Sequence, residues 1–288
     1  MALRINYNFE SVSAQRNLTG TQTSFFRAIE QLSSGLRINK AADDAAGLAV
    51  SEKLKNQVRG LNQAQRNAQD AISLLQTAEG ALNETHNLLA RMRELSIQSA
   101  NDTLTASDRV HIQDEVNQLL SEVDRIATST QFNKAILLDG SATNTVFHVG
   151  PNAEPTVRTG SNEITFSIAS ASAGTLAISA LGSGSTGQMS SMSFQTSANA
   201  AISTLDAAIE SISTTRGQIG AMQNRLQSTI NSLGIAAENT GAANSRIRDA
   251  DVAQSVSEMV KNQILQQSTM AVLAQANQAP QMALQLLK

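Results

Sequence analysis

The longest regular apolar pattern of the chain lies in LNQAQRNAQDAISLLQTAEGALNETHNLLARM, residues 61–92. Apolar or small residues recur there in alternating steps of three and four, which places them on one face of a helix, as in a coiled coil. The pattern predicts a helix over residues 45–100, about 80 Å long at the standard helical rise. Few compact domains accommodate such a helix, so an elongated, mainly α-helical protein is favoured. The positions on this face are Leu61, Ala64, Ala68, Ala71, Leu75, Ala78, Leu82, Thr85, Leu89 and Met92.

Helical spacing also occupies the segment before this helix and predicts another helix, over residues 6–34. Gly35 is placed to end that helix in the left-handed conformation. Asp43 and Asp44 follow where the positive end of the next helix favours acidic side chains. The apolar face of the N-terminal helix is defined by Leu18, Phe25, Ile29, Leu32 and Leu36.

More helical segments follow the long central pattern. Thr105 and Asp108 form a predicted capping box at the start of a third helix, antiparallel to the second. Helical spacing returns after residue 200, breaks softly near residues 239–245, and then resumes to the end of the chain. Helices are therefore expected in both halves of the sequence.

The middle of the chain, residues 135–200, has a different pattern. Thr145, Phe147 and Val149 alternate in type with their neighbours, and residues 164–168 do the same, which predicts short strands of a β-hairpin. Residues 182–193 are typical of a Gly/Ser loop. The predicted fold is mainly α: a long antiparallel helical rod or coiled coil formed by the N- and C-terminal segments, with a small β-rich segment between them.

The composition gives no support for catalysis or cofactor binding. There is no cysteine, the net charge is −3, and the three histidines lie on different predicted elements. Gly182, Gly184 and Gly187 match GxGxxG, but no helix follows at once and no acidic residue lies at the required distance. We therefore expect no enzyme activity, no cofactor, no metal and no nucleic-acid partner.

The sequence also gives no sign of a membrane segment or a cleaved secretory signal. Residues 263–288 are poor in charge but contain seven glutamines, which do not suit a bilayer core. The start, MALRINYNFE, has no apolar signal region. The protein is expected to be cytosolic, or exported by a route that uses no such signal.

Five segments resemble bacterial flagellins, and they occur in the same order. The resemblance covers residues 1–140 and 200–288 and is specific because it includes both ends of the chain. The segments are LSSGLRINKAADDAAGLAVSEKL (32–54), LLARMRELSIQSAND (88–102), GAMQNRLQSTINSL (220–233), SRIRDADVAQSVSEMVKNQIL (245–265) and STMAVLAQANQAPQMALQLL (268–287).

The resemblance implies a structural subunit that polymerises into the extracellular flagellar filament for motility. It implies secretion without a cleaved signal, through the flagellar type III export apparatus with an export chaperone, and assembly beside hook-associated and cap proteins. It also implies an inner coiled-coil domain of residues 1–44 with 247–288, and a second domain of residues 45–246. The terminal residues expected to support polymerisation are Leu18, Phe25, Ile29, Leu32, Val256, Val260, Ile264, Leu265, Val272, Leu273 and Leu286.

The same resemblance implies recognition of the monomer by innate immune receptors. Arg91, Leu95 and Glu115 occupy the positions by which many flagellins contact an animal Toll-like receptor, with Leu95 as a hydrophobic anchor. Residues 30–50 resemble the segment sensed by plant flagellin receptors. Subunit packing is a compatible alternative role for these residues.

Two other functions remain open at the level of sequence. An enzyme carried on a flagellin scaffold would need a catalytic insert, but residues 141–200 lack a nucleophile with a base. A junction protein between hook and filament would share the same end helices. The match at the extreme C-terminus favours a filament subunit over a junction protein. The sequence pattern alone does not decide between a filament subunit and a junction protein.

Overall fold

The computed structural model describes residues 7–153, 162–182 and 194–286. The described chain is mainly α-helical with a small β region in the middle of the sequence, which confirms the predicted fold class. The helices are α1 (Phe9–Ser34), α2 (Ala45–Ser99), α3 (Ala106–Ser129), α4 (Phe194–Arg248) and α5 (Val252–Leu286).

The chain divides into two compact units. The terminal unit comprises Met1–Val58 with Glu238–Lys288, and the middle unit comprises Arg59–Ala237. The domain division expected from the sequence, with boundaries after residues 44 and 246, concerns the assembled subunit and stays a prediction.

The core of the middle unit is built on the predicted apolar face of α2. Every one of the ten positions on that face is buried, and Leu75, Leu82 and Met92 have no exposed surface. From Ala68 onward, this face forms one cluster with buried residues of α3, α4 and the β region, whereas Leu61 and Ala64 pack with Leu233 of α4. Each fully buried Leu or Met contributes about 1.5–3 kcal/mol to folding, so this face supplies most of the driving force for α2.

The third helix starts at the predicted capping box. The Thr105 hydroxyl accepts a hydrogen bond from the Asp108 amide, and the Asp108 carboxylate accepts one from the Thr105 amide at 2.9 Å. The antiparallel direction of α2 and α3 follows from two side-chain contacts: Arg109 donates to the Asn101 carbonyl, and Arg91 donates to Glu115.

The end of α1 and the start of α2 have the capping residues predicted from the sequence. Gly35 caps α1 with a φ of 71°, and its amide donates to the Gln31 carbonyl. The Asp44 carboxylate accepts a hydrogen bond from the Gly47 amide at 2.8 Å, which satisfies a free donor at the start of α2.

The predicted break near residues 239–245 is wrong. The fourth helix continues to Arg248, and the interruption lies at residues 249–251. Gly241 lowers helix propensity by about 1 kcal/mol relative to Ala but keeps its amide, so it does not end a long helix by itself. The helix ends where the Ala250 amide bonds to the Gly35 carbonyl at 3.0 Å instead of a carbonyl of α4.

The β region contains two antiparallel pairs. Strand β1 (Gln131–Phe132) pairs with β2 (Ala135–Ile136), and β3 (Thr145–His148) pairs with β4 (Glu163–Phe166). The strands predicted from alternation correspond to β3 and β4, whereas β1 begins before the expected boundary. A 3₁₀ turn spans Ser179–Leu181. Most of the predicted Gly/Ser loop lies outside the described residues.

The tight turn between β1 and β2 gives a test of local strain. Asn133 and Lys134 both have positive φ, 48° and 68°, as a type I′ turn requires. Lys is unfavourable there because its Cβ crowds the backbone, whereas Gly is not. We expect Lys134→Gly to raise the free energy of unfolding by about 1 kcal/mol, measured by urea denaturation. Lys134→Ala keeps the Cβ and is the control. An equal gain from both substitutions would show that the lysine side chain, not the backbone strain, is unfavourable.

The capping box of α3 gives a test of acid sensitivity. The hydrogen bond from the Thr105 hydroxyl, followed by the bond from the Thr105 amide, holds the pKa of Asp108 below its usual 3.8. Because the folded-state pKa is lowered, this contribution is fully present above the unfolded value and is lost as the pH falls through the folded value. We expect protection of the backbone amides at the start of α3 against exchange to decrease once the pH is lowered below about 3.8. In Asp108→Asn, this decrease with pH should be absent. A variant with the same acid transition would contradict this assignment.

Candidate functional site

In the terminal unit, α1 and α5 pack against each other. Asn8 donates to the Ala276 carbonyl at 2.8 Å, and the Ser11 hydroxyl donates to the Asn277 side chain at 2.8 Å. The start of α1 therefore lies beside the last part of α5, so the two helices are antiparallel. One row of buried and half-buried positions along α1 alternates in steps of three and four: Ser11, Ala14, Leu18, Thr21, Phe25, Ala28 and Leu32.

The face that α5 buries is mostly polar or small, and we call it the inner seam. Its least exposed positions also alternate in steps of three and four, so they form one continuous line along the helix. Few of them carry a large apolar side chain, which limits what the pairing of α1 with α5 gains from burial. The inner seam consists of Ser255, Met259, Asn262, Gln266, Thr269, Leu273 and Ala276.

Apart from Met259 and Leu273, the large apolar residues of α5 whose side chains are described lie outside the inner seam, and six of them, all Val, Ile or Leu, form what we call the outer stripe. They are 37–58% exposed, although each would favour burial. Part of the stripe lines a shallow groove of about 540 Å³ bordered by Ser257 and Lys261. An exposed row of valine and isoleucine is unusual on a soluble monomer and marks a contact surface. The outer stripe consists of Val252, Val256, Val260, Ile264, Leu265 and Val272.

Helix α1 and Tyr7, two residues before it, also present large hydrophobic side chains to solvent. Phe9 and Phe26 are the most exposed of them, and an aromatic ring buries more area than any aliphatic side chain. Tyr7, Val12 and Ile29 are exposed as well. Both helices of the pair therefore carry unpartnered apolar surface.

The predicted polymerisation residues fall into two groups. The half-buried group lies between the two helices, and the exposed group lies on their outer surfaces. The side chain of Leu286 lies outside the described part of the structure. The half-buried residues are Leu18, Phe25, Leu32 and Leu273, and the exposed ones are Ile29, Val256, Val260, Ile264, Leu265 and Val272.

The sequence did not separate these groups because α5 carries apolar residues on more than one face. The structure adds Phe9, Phe26 and Val252 to the exposed surface and Ala14 and Ala28 to the buried one. The burial of the two alanines could have been predicted from the sequence, since they continue the alternating spacing of the α1 face. The exposure of Phe26 could not, because its neighbour Phe25 already satisfied the helical pattern.

The predicted receptor-contact residues lie on α2 and α3 of the middle unit. Arg91 is exposed and donates to Glu115 at 3.0 Å and to Glu94 at 3.2 Å. The bond to Glu115 and then the bond to Glu94 raise the pKa of Arg91, so the guanidinium stays charged. Arg91 and Glu115 thus form an exposed charged cluster. Their contact with a receptor stays a prediction.

Leu95, expected as a hydrophobic anchor, is buried in the folded unit, and its role in receptor contact stays a prediction. Its side chain is only 2% exposed and belongs to the main apolar cluster. The physical reason is its register: Leu95 lies three residues beyond Met92 and so extends the buried face of α2. A surface-binding partner would meet Arg91 and Glu115 but not this leucine.

The described residues do not assemble a catalytic or metal-binding cluster. Among them, no group of three or more His, Asp or Glu side chains is placed to hold a metal ion. His148 lies 3.4 Å from Glu163 across the β3–β4 pair, which is a cross-strand contact rather than a site. None of the described helices combines the length and apolar character that a membrane crossing requires.

Comparison with known proteins gives matches at both ends and over the whole length. The bacterial flagellin N-terminal helical region matches residues 5–143, and the bacterial flagellin C-terminal helical region matches residues 202–287. The flagellar filament 33 kDa core protein of Treponema phagedenis is 48% identical over 99% of both chains. A flagellin of Halalkalibacterium halodurans is 45% identical, again over 99% of both chains.

A solved structure supports the fold independently. The chain is similar to a putative flagellar hook-associated protein from Vibrio parahaemolyticus, with a TM-score of 0.56 and 17% identity, over 72% of this chain and 100% of that one. At that identity the likeness concerns the fold alone. The two family regions and the full-length relatives together show that the chain belongs to the bacterial flagellin family.

Proposed function

We propose that this protein polymerises into a bacterial flagellar filament outside the cell and serves motility. The single observation that carries the proposal is the exposed apolar surface of the α1–α5 pair, above all the outer stripe. The Treponema phagedenis relative is itself described as a flagellar filament core protein. Flagellins are structural proteins, so the exposed surface is assigned to assembly rather than to catalysis.

The magnitude of burial supports assembly through this surface. Complete burial of a Val or Ile contributes about 1.5–3 kcal/mol, and about half of each stripe residue is already covered. Each residue of the outer stripe then adds about 1 kcal/mol when a neighbouring subunit covers it. Six such residues per subunit supply about 6 kcal/mol toward the cost of association, and the exposed Phe9 and Phe26 add to it.

The geometry of the contact determines the kind of assembly. We propose that the outer stripe of one subunit meets a different surface of the next, which is a head-to-tail contact. A repeated head-to-tail contact that does not close into a ring produces a helical fibre. The polar inner seam gives the α1–α5 pair little stability of its own, so we propose that the pair becomes fully ordered when neighbours cover it.

The remaining partners follow from the proposed role. We propose export through the flagellar type III apparatus with an export chaperone, and assembly against hook-associated and cap proteins. The inner domain of the assembled subunit would comprise residues 1–44 with 247–288, and the second domain residues 45–246. The terminal helices identified above lie in that inner domain.

A second candidate function is recognition of the monomer by innate immune receptors of the Toll-like class. The observation that favours it is the exposed Arg91–Glu115 pair, flanked by Glu94, on the α2–α3 surface. A charged cluster held in one geometry offers directional hydrogen bonds to a partner. Residues 30–50 are the corresponding candidate for plant flagellin receptors.

The polymerisation surface is tested by placing a charge in the outer stripe. We expect Val260→Asp to abolish elongation from filament fragments, because a carboxylate would be desolvated at the subunit contact. Electron microscopy and pelleting measure the outcome. Val146→Asp is the matched control: Val146 is 51% exposed in the middle unit, against 43% for Val260. If both variants elongate normally, the outer stripe is not the assembly surface. If the unaltered chain binds to the ends of the seeds without elongating them, the protein is a junction protein rather than a filament subunit.

The receptor surface is tested by removing one charge from the cluster. We expect Arg91→Ala to reduce activation of receptor-bearing reporter cells by about tenfold, since it removes a charge-assisted hydrogen-bond donor. Arg125→Ala is the control because Arg125 is also exposed and paired with a glutamate, Glu122. Circular dichroism checks that both variants fold. Equal activity of the two variants would contradict a specific role for Arg91.

A further inference from the structure

Two connections between helices in the terminal unit are bonded to each other. The Arg37 amide donates to the Arg248 carbonyl at 2.7 Å, and the Ala250 amide donates to the Gly35 carbonyl at 3.0 Å. Between these bonds, Leu36 and Asp249 form an isolated antiparallel bridge. We call this short ladder, Gly35–Arg37 with Arg248–Ala250, the clasp. It joins the end of α1 to the start of α5.

Side chains reinforce the clasp on both strands. Arg37 donates from its guanidinium to the Ile247 carbonyl at 2.6 Å, which occupies one of the free carbonyls at the end of α4. Arg248 reaches Glu52 on α2 at 2.6 Å, and the Arg248 side chain is only 18% exposed. Ile38, next to the clasp, is 1% exposed. The clasp is therefore a well-supported local structure, in contrast to the exposed helices beyond it.

The position of the clasp matters because α1 and α5 are distant in sequence. Arg37 and Ile247 are 210 residues apart. Bringing such segments together carries a loop-closure cost that a weakly apolar inner seam is poorly suited to offset. Once the clasp has formed, α1 and α5 start from a closed end, and each further turn adds contacts without another closure.

We propose that the clasp couples α1 to α5, so that the two helices become ordered as one pair, starting from residues 35–37 and 248–250. The inference deepens the proposed function, because ordering of the pair is the step that presents the outer stripe to neighbouring subunits. It assigns to these residues a role that a simple helix terminator would not have. A terminator would affect its own helix, whereas the clasp transmits a change in one connection to the opposite helix.

The test removes one clasp hydrogen bond with proline. Ala250→Pro deletes the amide that donates to Gly35, and the bridge already holds the preceding Asp249 in the extended conformation that proline requires. Ala253→Pro is the matched control, since Ala253 lies in the first turn of α5, where backbone amides have no partner within the helix, and it is not part of the outer stripe. Both variants add one proline within three residues of each other, and only one of them removes a clasp donor.

Two measurements on the full-length chain decide the outcome. In filaments, we expect Ala250→Pro to raise amide exchange in residues 25–34 of α1 about fivefold, although it changes only the other connection. Seeded elongation should slow by about the same factor, while Ala253→Pro stays within about twofold of the unaltered chain in both measurements. Unchanged α1 exchange in Ala250→Pro, or equal effects of the two prolines, would overturn the proposal.

A second pair of variants applies if Ala250→Pro fails to fold. Arg37→Ala removes the guanidinium bond to Ile247 on the opposite connection and should raise amide exchange at the start of α5, and Arg37→Lys should restore part of the protection. No difference between these two variants would also overturn the proposal.

The proposal about the clasp and the proposal about filament assembly can be tested independently of each other. The amide of Arg37 in the monomer, followed by NMR, reports the clasp without any assembly. Its protection in the unaltered chain and loss in Ala250→Pro support the clasp even if seeds do not elongate. An unprotected Arg37 amide in monomer and filament alike would overturn the clasp, even if filaments grow.

Discussion

The middle unit depends on one constraint, the unbroken apolar face of α2. Ten positions in alternating steps of three and four are all buried, and from Ala68 onward the face packs in one cluster with α3, α4 and the β region. Because the face contains four alanines between its leucines, neighbouring backbones approach closely, which suits slender helix packing with few aromatic residues. The polar contacts at its margin, such as Gln223 with Glu79, fix the register of α2 against α4 rather than the stability of the unit.

The terminal unit follows the opposite distribution of side chains. Between α1 and α5 lie Ser, Thr, Asn and Gln beside a few leucines, while Val256, Val260 and Ile264 face outward. A chain that folded for the stability of its monomer would place these residues the other way round. The arrangement is explained if the apolar surface is reserved for neighbouring subunits and the clasp supplies the local closure that the inner seam lacks.

Much of the fold could be predicted from the sequence because long helices give a strong periodic signal. The α2 face, the Gly35 cap, the Thr105 capping box and the β3–β4 pair all follow from local patterns. The break after Arg248 could not, because it is set by hydrogen bonds to residues 35–37, more than two hundred positions away. The exposure of the α5 valines could not be predicted from the sequence either. A helix that is apolar on several faces does not show which face its partner covers.

The same kind of substitution therefore has different effects in the two units. A polar residue at Leu82 leaves an unpaired group in a core that no partner can reach, and the loss appears as instability of the monomer. The same change on the outer stripe meets water in the monomer, where its stability is almost unaffected, and becomes unfavourable only when a neighbour excludes that water. Leu95 shows how the distinction guides the assignment of sites. As a core residue it supports the surface on which Arg91 and Glu115 lie, so its truncation would disturb that surface indirectly, through packing, and not by removing a contact.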